Sequence, residues 1–213
     1  MRLAGFYRLI TIFGERLSEG TSTAPVGTLP TELASTIVTI GDRTMPLSYA
    51  SDGQVNGVVP YGVNTNTNQQ LLVQRAETYA TPVYVDVAAA QPAIFLNDQQ
   101  AMITDVQGKL IGPANPAHVG DQVVIYCAGL GVVNPPVGDG VITPASPLSA
   151  TVNPVNVSIG GKQATALASL VPGFVGLYQV TATVPQGTTP GDQVPVVITI
   201  EGQTSLPVAV NVR

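Results

Sequence analysis

Few side chains in this sequence could carry out catalysis. His118 is the only histidine among 213 residues, and Cys127 is the only cysteine. A hydroxyl or thiol nucleophile needs a base, so a catalytic triad would have to use His118. His118 stands in a loop before a predicted strand, and the sequence has no Gly-x-Ser-x-Gly nucleophile turn. We interpret His118 as a solvated loop residue and predict a protein that is not an enzyme, with a hydrolase as the less favoured alternative.

The position of Cys127 in the sequence is typical of a structural residue. It lies in a strand predicted from Val123 to Ala128, where a small buried hydrophobic residue is expected. A thiol buried among apolar side chains is inert, and a single cysteine can form no intramolecular disulfide. One histidine and one cysteine do not form a zinc site without supporting carboxylates.

Loop carboxylates are the residues most compatible with a metal. Calcium sites in β-sandwiches use such side chains, and four aspartates lie in predicted loops: Asp98, Asp121, Asp139 and Asp192. No spaced Asp-x-Asp-x-Asp run occurs, and a role in turns is sufficient to explain these residues. We therefore predict no cofactor, with bound calcium as the alternative.

Other ligand classes have weak support. Gly129-Leu130-Gly131 begins like a dinucleotide-binding loop, but Pro135-Pro136 follows where a helix would have to start. The net charge of −5 argues against nucleic acid as a partner. No stretch approaches the ~20 continuous apolar residues of a membrane span.

Three tyrosines are candidates for an interaction surface. Loops of β-sandwiches can bind glycans through exposed aromatic rings, and Tyr7, Tyr61 and Tyr79 fit this description. Carbohydrate binding, with a cell-surface glycan as partner, is therefore the alternative function.

The elements that carry these residues are predicted to be strands throughout. Hydrophobic residues make up 45% of the chain and charged residues 10%, with 22 glycines and 18 prolines, a composition that favours short strands and tight turns. No run of ten or more residues has helical apolar spacing. Apolar residues instead alternate with Thr, Ser, Asn or Gln, which predicts strands with one face in a core and one in water.

The chain also contains an internal repeat that is consistent with two domains. Four pairs of segments keep their order at a nearly constant displacement: Thr11–Leu17 with Val124–Leu130, Val38–Asp42 with Val157–Gly161, Gln54–Pro60 with Gln179–Pro185, and Pro82–Val87 with Pro207–Val212. We predict domains at residues 1–90 and 91–213. Residues 88–98 are too apolar for a flexible linker, so we expect the two domains to be rigidly adjacent.

The two copies differ at their starts. The second is preceded by an extra hairpin around Gln107-Gly108, whereas only ten residues precede the first shared strand of copy one. We expect copy one to lack a leading strand. Its sheet would then end in a shorter edge or in an open edge that another chain fills.

Structural roles are predicted for three further residues. Gly14 and Gly129 follow the first shared strand of their copies. Tyr178 stands at the start of a late strand, as does the tyrosine of the tyrosine corner in immunoglobulin-type sandwiches, whose hydroxyl bonds a nearby backbone group. Copy one has Gly53 at the equivalent position.

The motifs together resemble a known family. Thr11-Ile12-Phe13-Gly14 with Leu17 resembles the first strand of the IPT/TIG immunoglobulin-like family. The order of motifs is similar to the C-terminal domain of the Solibacter-type paralogous family of acidobacterial secreted proteins, and eight segments carry that likeness: Leu29–Ala34, Pro46–Ser51, Gln54–Asn56, Val59–Tyr61, Ala89–Phe95, Pro113–Ala117, Gly129–Gly131 and Gly176–Val180. The resemblance implies two tandem immunoglobulin-like β-sandwiches and export from the cell, and it implies no activity.

We therefore expect a non-enzymatic extracellular structural or interaction module, the C-terminal tail of a secreted or surface protein. Its partners would be a neighbouring protein domain or copies of itself, in the second case through an open strand edge. The expected location is extracellular or at the cell surface, with the export signal outside this chain.

Overall fold

The described chain consists of β-strands, turns and loops. A computed structural model describes residues 9–213 and the backbone of the strand at residues 2–6. No helix occurs in these residues, and the strands of every sheet are antiparallel. The prediction of an all-β protein is confirmed.

The chain forms two compact units. Unit 1 comprises Met1–Ala89, Pro136–Ala145 and Pro172–Gly176, and unit 2 comprises the remainder, residues 90–135, 146–171 and 177–213. Unit 1 thus includes two segments that the sequence repeat assigns to the second copy.

The described residues of unit 1 form eleven strands: β1 (Arg2–Phe6), β2 (Leu9–Phe13), β3 (Ser22–Thr23), β4 (Glu32–Leu33), β5 (Thr36–Ile40), β6 (Arg43–Thr44), β7 (Leu47–Ala50), β8 (Gln54–Val58), β9 (Thr67–Arg75), β10 (Thr78–Tyr79) and β11 (Val83–Val87). Sheet 1 has the order β1-β2-β8-β7-β3. Sheet 2 has the order β10-β9-β5-β4, with β11 also paired to β9 and β6 to β5.

The buried side chains of unit 1 form one hydrophobic cluster to which both sheets contribute. Ile12 and Leu47 come from sheet 1, and Val38, Leu71 and Val73 come from sheet 2. None of the five is more than 2% exposed. Because each strand buries alternate residues, a shared cluster requires that the two sheets face each other, which gives unit 1 a sandwich-like architecture.

Fourteen strands lie in unit 2: β12 (Ala93–Ile94), β13 (Leu96–Asn97), β14 (Gln100–Ala101), β15 (Ile103–Asp105), β16 (Gln122–Ala128), β17 (Val133–Asn134), β18 (Ala150–Thr151), β19 (Asn156–Ile159), β20 (Lys162–Ala164), β21 (Ala166–Leu170), β22 (Tyr178–Thr183), β23 (Gly191–Ile200), β24 (Gln203–Thr204) and β25 (Val208–Val212). Sheet 3 has the order β12-β16-β22-β21-β18-β17, with β15 also paired to β16. Sheet 4 has the order β20-β19-β23-β24, with β25 also paired to β23, and β13 and β14 form a separate hairpin.

The segments that repeat in the sequence occupy corresponding places in the two units. In unit 1, β2 pairs with β8 and β8 with β7; in unit 2, β16 pairs with β22 and β22 with β21. Likewise β9 lies between β5 and β11, and β23 lies between β19 and β25. The internal repeat of the sequence is therefore also a repeat of strand pairing.

The start of unit 1 differs from our expectation that copy one has no leading strand. β1 pairs with β2 along five residues, from Arg2 opposite Phe13 to Phe6 opposite Leu9. This pairing satisfies the backbone N–H and C=O groups along that edge of β2.

Candidate binding face

One face of sheet 2 carries two exposed aromatic rings. Tyr79 of β10 lies opposite Gln74 of β9, and Tyr84 of β11 lies opposite Gln70. Side chains of directly opposed residues project from the same face, and residues four apart on one strand do so too. Both tyrosines and both glutamines therefore share a face, which we call the tyrosine face (Gln70, Gln74, Tyr79 and Tyr84).

The burial pattern of the strands explains why this face points to water. Leu71 and Val73 of β9 are buried, whereas Gln70 is exposed, so the odd-numbered residues of β9 face the core. In β11 the valines are half-buried, and Val85 packs against the core cluster. Tyr79 and Tyr84 are each 64% exposed, which is unusual for residues that gain from burying a ring.

Polar side chains flank the two rings, and two of them form hydrogen bonds within unit 1. The Asn68 side-chain amide donates to Asp86 at 2.9 Å, and the Gln74 amide donates to the Ala76 carbonyl at 2.7 Å. Gln70 and Gln74 lie four residues apart on β9, a distance of about 13 Å at the usual strand rise. Two aromatic rings on one face, beside glutamine side chains, suit an extended ligand with apolar faces and hydroxyl groups.

Of the three tyrosines chosen from the sequence, Tyr79 lies on this face. Tyr61 lies in the loop between β8 and β9, is half-buried, and donates its backbone N–H to Asp139 at 2.6 Å. Tyr7 lies outside the described residues. Sequence reasoning missed Tyr84, although the alternation of Val83–Val87 contains the signal: Tyr84 and Asp86 occupy the phase opposite to the valines.

Cys127 is completely buried in β16. Burial raises the pKa of the Cys127 thiol far above its usual value, because the charged thiolate loses its hydration. At neutral pH the group is thus a neutral thiol without contact to solvent.

Tyr178 is also completely buried, at the start of β22. Its hydroxyl donates a hydrogen bond to the backbone carbonyl of Gly131, in the loop that follows β16. The bond joins residues 47 positions apart, so it is not the short-range bond of a tyrosine corner.

The two glycines with predicted structural roles meet different constraints. Gly129 has φ +80°, a backbone conformation that residues with a Cβ rarely adopt. Gly14 bonds to the Gly53 carbonyl at 3.2 Å, and a Cβ at Gly14 would lie 2.9 Å from Leu17.

Two carboxylates chosen as calcium candidates accept hydrogen bonds from the backbone. Asp121 accepts the His118 N–H at 2.8 Å, and the His118 ring nitrogen Nδ1 lies 3.3 Å from the same oxygen. Asp139 accepts the Tyr61 N–H. Asp98 stands in the turn between β13 and β14 with φ +47°.

Two further carboxylates have shifted pKa values. The Lys109 backbone N–H, 2.9 Å from Asp105, is the main cause of a lowered pKa of that carboxyl. Desolvation opposes it as the second-largest effect, and the Asn115 amide and the Gln107 N–H lower the pKa further. The pKa of Asp192 is lowered by hydrogen bonds from the Arg213 guanidinium and, at 3.0 Å, the Asn211 amide. Both groups favour the ionised form because they accept several hydrogen bonds.

The described residues include neither a metal-ligand cluster nor a membrane-spanning helix. No group of three or more His, Cys, Asp or Glu side chains in that part of the chain could hold a metal ion. Within the same residues there is no helix of the length and apolar character that a membrane span requires.

Comparison with models of known protein families gave no match, and comparison with curated proteins gave none.

Proposed function

We propose that this chain is a non-enzymatic structural or interaction module. The observation that carries the proposal is the use of its acidic side chains: Asp105, Asp121, Asp139 and Asp192 each accept hydrogen bonds that fix a loop or a strand end. Carboxylates used in this way have fixed partners. The pKa values of Asp105 and Asp192 are lowered, whereas a catalytic acid needs a pKa near the working pH.

The architecture that we propose for the module is two tandem immunoglobulin-like sandwiches. Corresponding strands pair in the same order in units 1 and 2, which supports a duplicated sandwich. The resemblance of the sequence to the Solibacter-type family supports a place in the tail of an extracellular or surface protein. There the module would hold a neighbouring domain or contact copies of itself.

Two experiments test this proposal. Single-molecule stretching of the chain between two handles should give two separate unfolding events, one for each unit, and a single event would contradict a tandem module. Incubation with chromogenic ester, glycoside and peptide substrates should give no turnover. Turnover that is lost in Asp121→Asn or Asp139→Asn, while the circular dichroism spectrum is unchanged, would overturn the non-enzymatic assignment.

The proposed location has its own test. A protein at the cell surface should be degraded when intact cells are treated with protease, while a cytoplasmic marker remains whole. Degradation only after the cells are lysed would contradict an extracellular role.

Carbohydrate binding is the second candidate function, and the tyrosine face favours it. An aromatic ring presents an apolar surface to the C–H groups of a sugar, and side-chain amides donate to and accept from its hydroxyls. A glycan array should then give binders whose signal falls at least about tenfold in the Tyr79→Ala, Tyr84→Ala double variant, as expected when aromatic anchors are truncated. The matched control is Tyr49→Ala, on β7 of sheet 1, and an array without binders would remove this candidate.

A further inference from the structure

The outer edge of β11 has backbone groups that point away from the sheet. On β9, the Gln70 carbonyl accepts the Gly41 N–H, which lies on the β5 side of β9. Successive residues of a strand direct their backbone groups alternately to the strands on either side. Leu71 and the residues two positions before and after it therefore direct their N–H and C=O groups toward β11. Because Val83 lies opposite Leu71, the valines of β11 bond to β9, while Tyr84 and Asp86 direct their N–H and C=O groups outward.

This edge has no strand partner in the part of the chain that the structure describes. β9 is the strand paired with β11 there, and the side chains of Tyr84 and Asp86 are exposed. An open edge of this kind can accept another strand.

Unit 2 shows what the same edge looks like when it is covered. β25 corresponds to β11, with Asn211 at the place of Asp86, 125 positions later. The Asn211 carbonyl accepts the Ala117 N–H at 3.0 Å, and the Ala117 carbonyl accepts the Arg213 N–H at 2.8 Å. A segment that precedes β16 therefore lies alongside β25 as a parallel bridge.

Unit 1 uses the corresponding segment differently. The residue 113 positions before Ala117 is Ala4, which lies in β1 opposite Thr11 of β2. The segment that covers the last strand in unit 2 covers the first shared strand in unit 1 instead. The open edge is thus at β11, and not at β2, where an open edge was one of the two alternatives that the sequence left.

The residues of β11 suit one particular occupant. We propose that β11 pairs antiparallel with β11 of a second copy of this chain, in a two-fold symmetric dimer centred on Val85. The inference rests on the proposed interaction function and specifies its partner. Two-fold contacts use the same surface on both copies, so the strand must be complementary to itself when it is reversed.

The register centred on Val85 meets this requirement. It places Tyr84 opposite Asp86 of the second copy, twice, and these are the residues whose backbone groups point outward, so each opposed pair can exchange two hydrogen bonds. Each carboxylate then lies opposite a phenol, and the two Asp86 side chains lie diagonally apart. Val83 lies opposite Val87 of the second copy at both ends of the pair, so the valines of both strands lie on the core side of the joined sheet.

The neighbouring registers that keep the same hydrogen-bonding phase are less favourable. A shift that places Asp86 opposite its own copy brings like charges together, which destabilises a strand pair. A shift in the other direction places Tyr84 opposite its own copy and Asp86 opposite Pro82, which has no N–H to donate. In a register other than the one centred on Val85, the charge of Asp86 at an open edge would oppose pairing. The experiment must therefore test the register.

Disulfide trapping tests the register directly. Val85 should lie opposite Val85 of the second copy in a non-hydrogen-bonded pair, about 4.5 Å between Cα atoms, which is within disulfide range. Val85→Cys should cross-link under mild oxidation. Val83→Cys and Val87→Cys should each fail alone, because like residues lie about 13 Å apart along the strands, but an equimolar mixture of the two should cross-link. Cys127 is buried and serves as an internal thiol that does not react.

A second experiment measures pairing in the unmodified chain. Light scattering after gel filtration should give a mass approaching twice 21.9 kDa as the concentration rises toward roughly 100 µM, since so small an interface is expected to be weak. Tyr84→Pro removes the outward N–H of residue 84, which makes no bond to β9, so this variant should stay monomeric. Tyr84→Phe keeps that N–H and should dimerise.

The outcomes separate this inference from the proposed function. A chain that stays monomeric, with no cross-link through Val85→Cys, overturns the pairing of β11, and so does equal cross-linking of Val83→Cys and Val85→Cys. Either result leaves the non-enzymatic module standing, because the stretching and turnover experiments test that proposal. Turnover together with a trapped dimer would overturn the non-enzymatic module and support the pairing of β11.

Discussion

The hydroxyl of Tyr178 donates a hydrogen bond to the Gly131 carbonyl across the interior of unit 2. Both residues are buried, and Tyr178 lies at the start of β22 opposite Cys127 of β16. One side chain thus fixes the loop that leaves β16 to the strand beside it.

Removing this hydroxyl should destabilise unit 2. Tyr178→Phe keeps the ring and leaves the buried Gly131 carbonyl without its hydroxyl donor, which costs about 1–3 kcal/mol of unfolding free energy. Urea titration followed by circular dichroism measures the change. Tyr79→Phe, at an exposed ring, is the control and should change stability by less than about 0.5 kcal/mol. Equal effects of the two substitutions would contradict a structural role for the hydroxyl.

Gly140 should be intolerant of a side chain because it contacts the body of unit 1 closely. It has φ +69°, a Cβ there would lie 2.7 Å from the Pro46 ring, and its carbonyl accepts the Leu29 N–H at 2.8 Å. Gly140→Ala should therefore lower the melting temperature more than Gly173→Ala. Gly173 has a similar φ of +83° but no atom within 4 Å of the added Cβ, so the comparison separates crowding from backbone strain. A larger effect at Gly173 would contradict the packing of residues 136–145 in unit 1.

The hydrogen bonds to Asp192 should make stability depend on pH in the acid range. Its pKa in the folded chain lies below the usual 3.8, so its contribution is complete above pH 3.8 and is lost as the pH falls through the lower folded value. The melting temperature of Asp192→Asn should thus lie below that of the unmodified protein at pH 7, and the two should converge in strong acid. The effect is small because the side chain is 67% exposed.

The thiol of Cys127 should react only when unit 2 opens. Its complete burial and raised pKa predict that a thiol reagent at neutral pH labels the native protein far more slowly than the protein in denaturant. Labelling monitored by absorbance measures both rates. Equal rates would show that Cys127 is accessible in the native protein, and the burial of β16 would then be wrong.

The long strands could be predicted from the sequence because they alternate over five or more residues. The strand predicted at Val123–Ala128 is β16, which begins one residue earlier, at Gln122, and ends at the same residue. β7 lacks this signal, because its pairing with β8 is irregular between Leu47 and Tyr49 and its buried residues do not alternate. Two-residue strands such as β4 are too short to show any period.

The candidate site was predictable in part. Tyr79 was chosen as an exposed aromatic residue, but its position beside Tyr84 depends on the register of β10 and β11 against β9, and no local pattern encodes that register. The contact between Tyr61 and Asp139 joins residues 78 positions apart. Such pairs depend on the whole fold and leave no signal in the neighbouring residues.

The composition of unit 1 has a consequence for how the chain is made. Two of its segments, 136–145 and 172–176, are synthesised after the first strands of unit 2, including β16. On the ribosome, β1 to β11 emerge early but lack Asp139 and Gly140 until most of the chain has been translated. We therefore expect unit 1 to acquire its full resistance to proteolysis late in translation. A chain truncated after residue 90 would lack segments 136–145 and 172–176 and so would contain only part of unit 1.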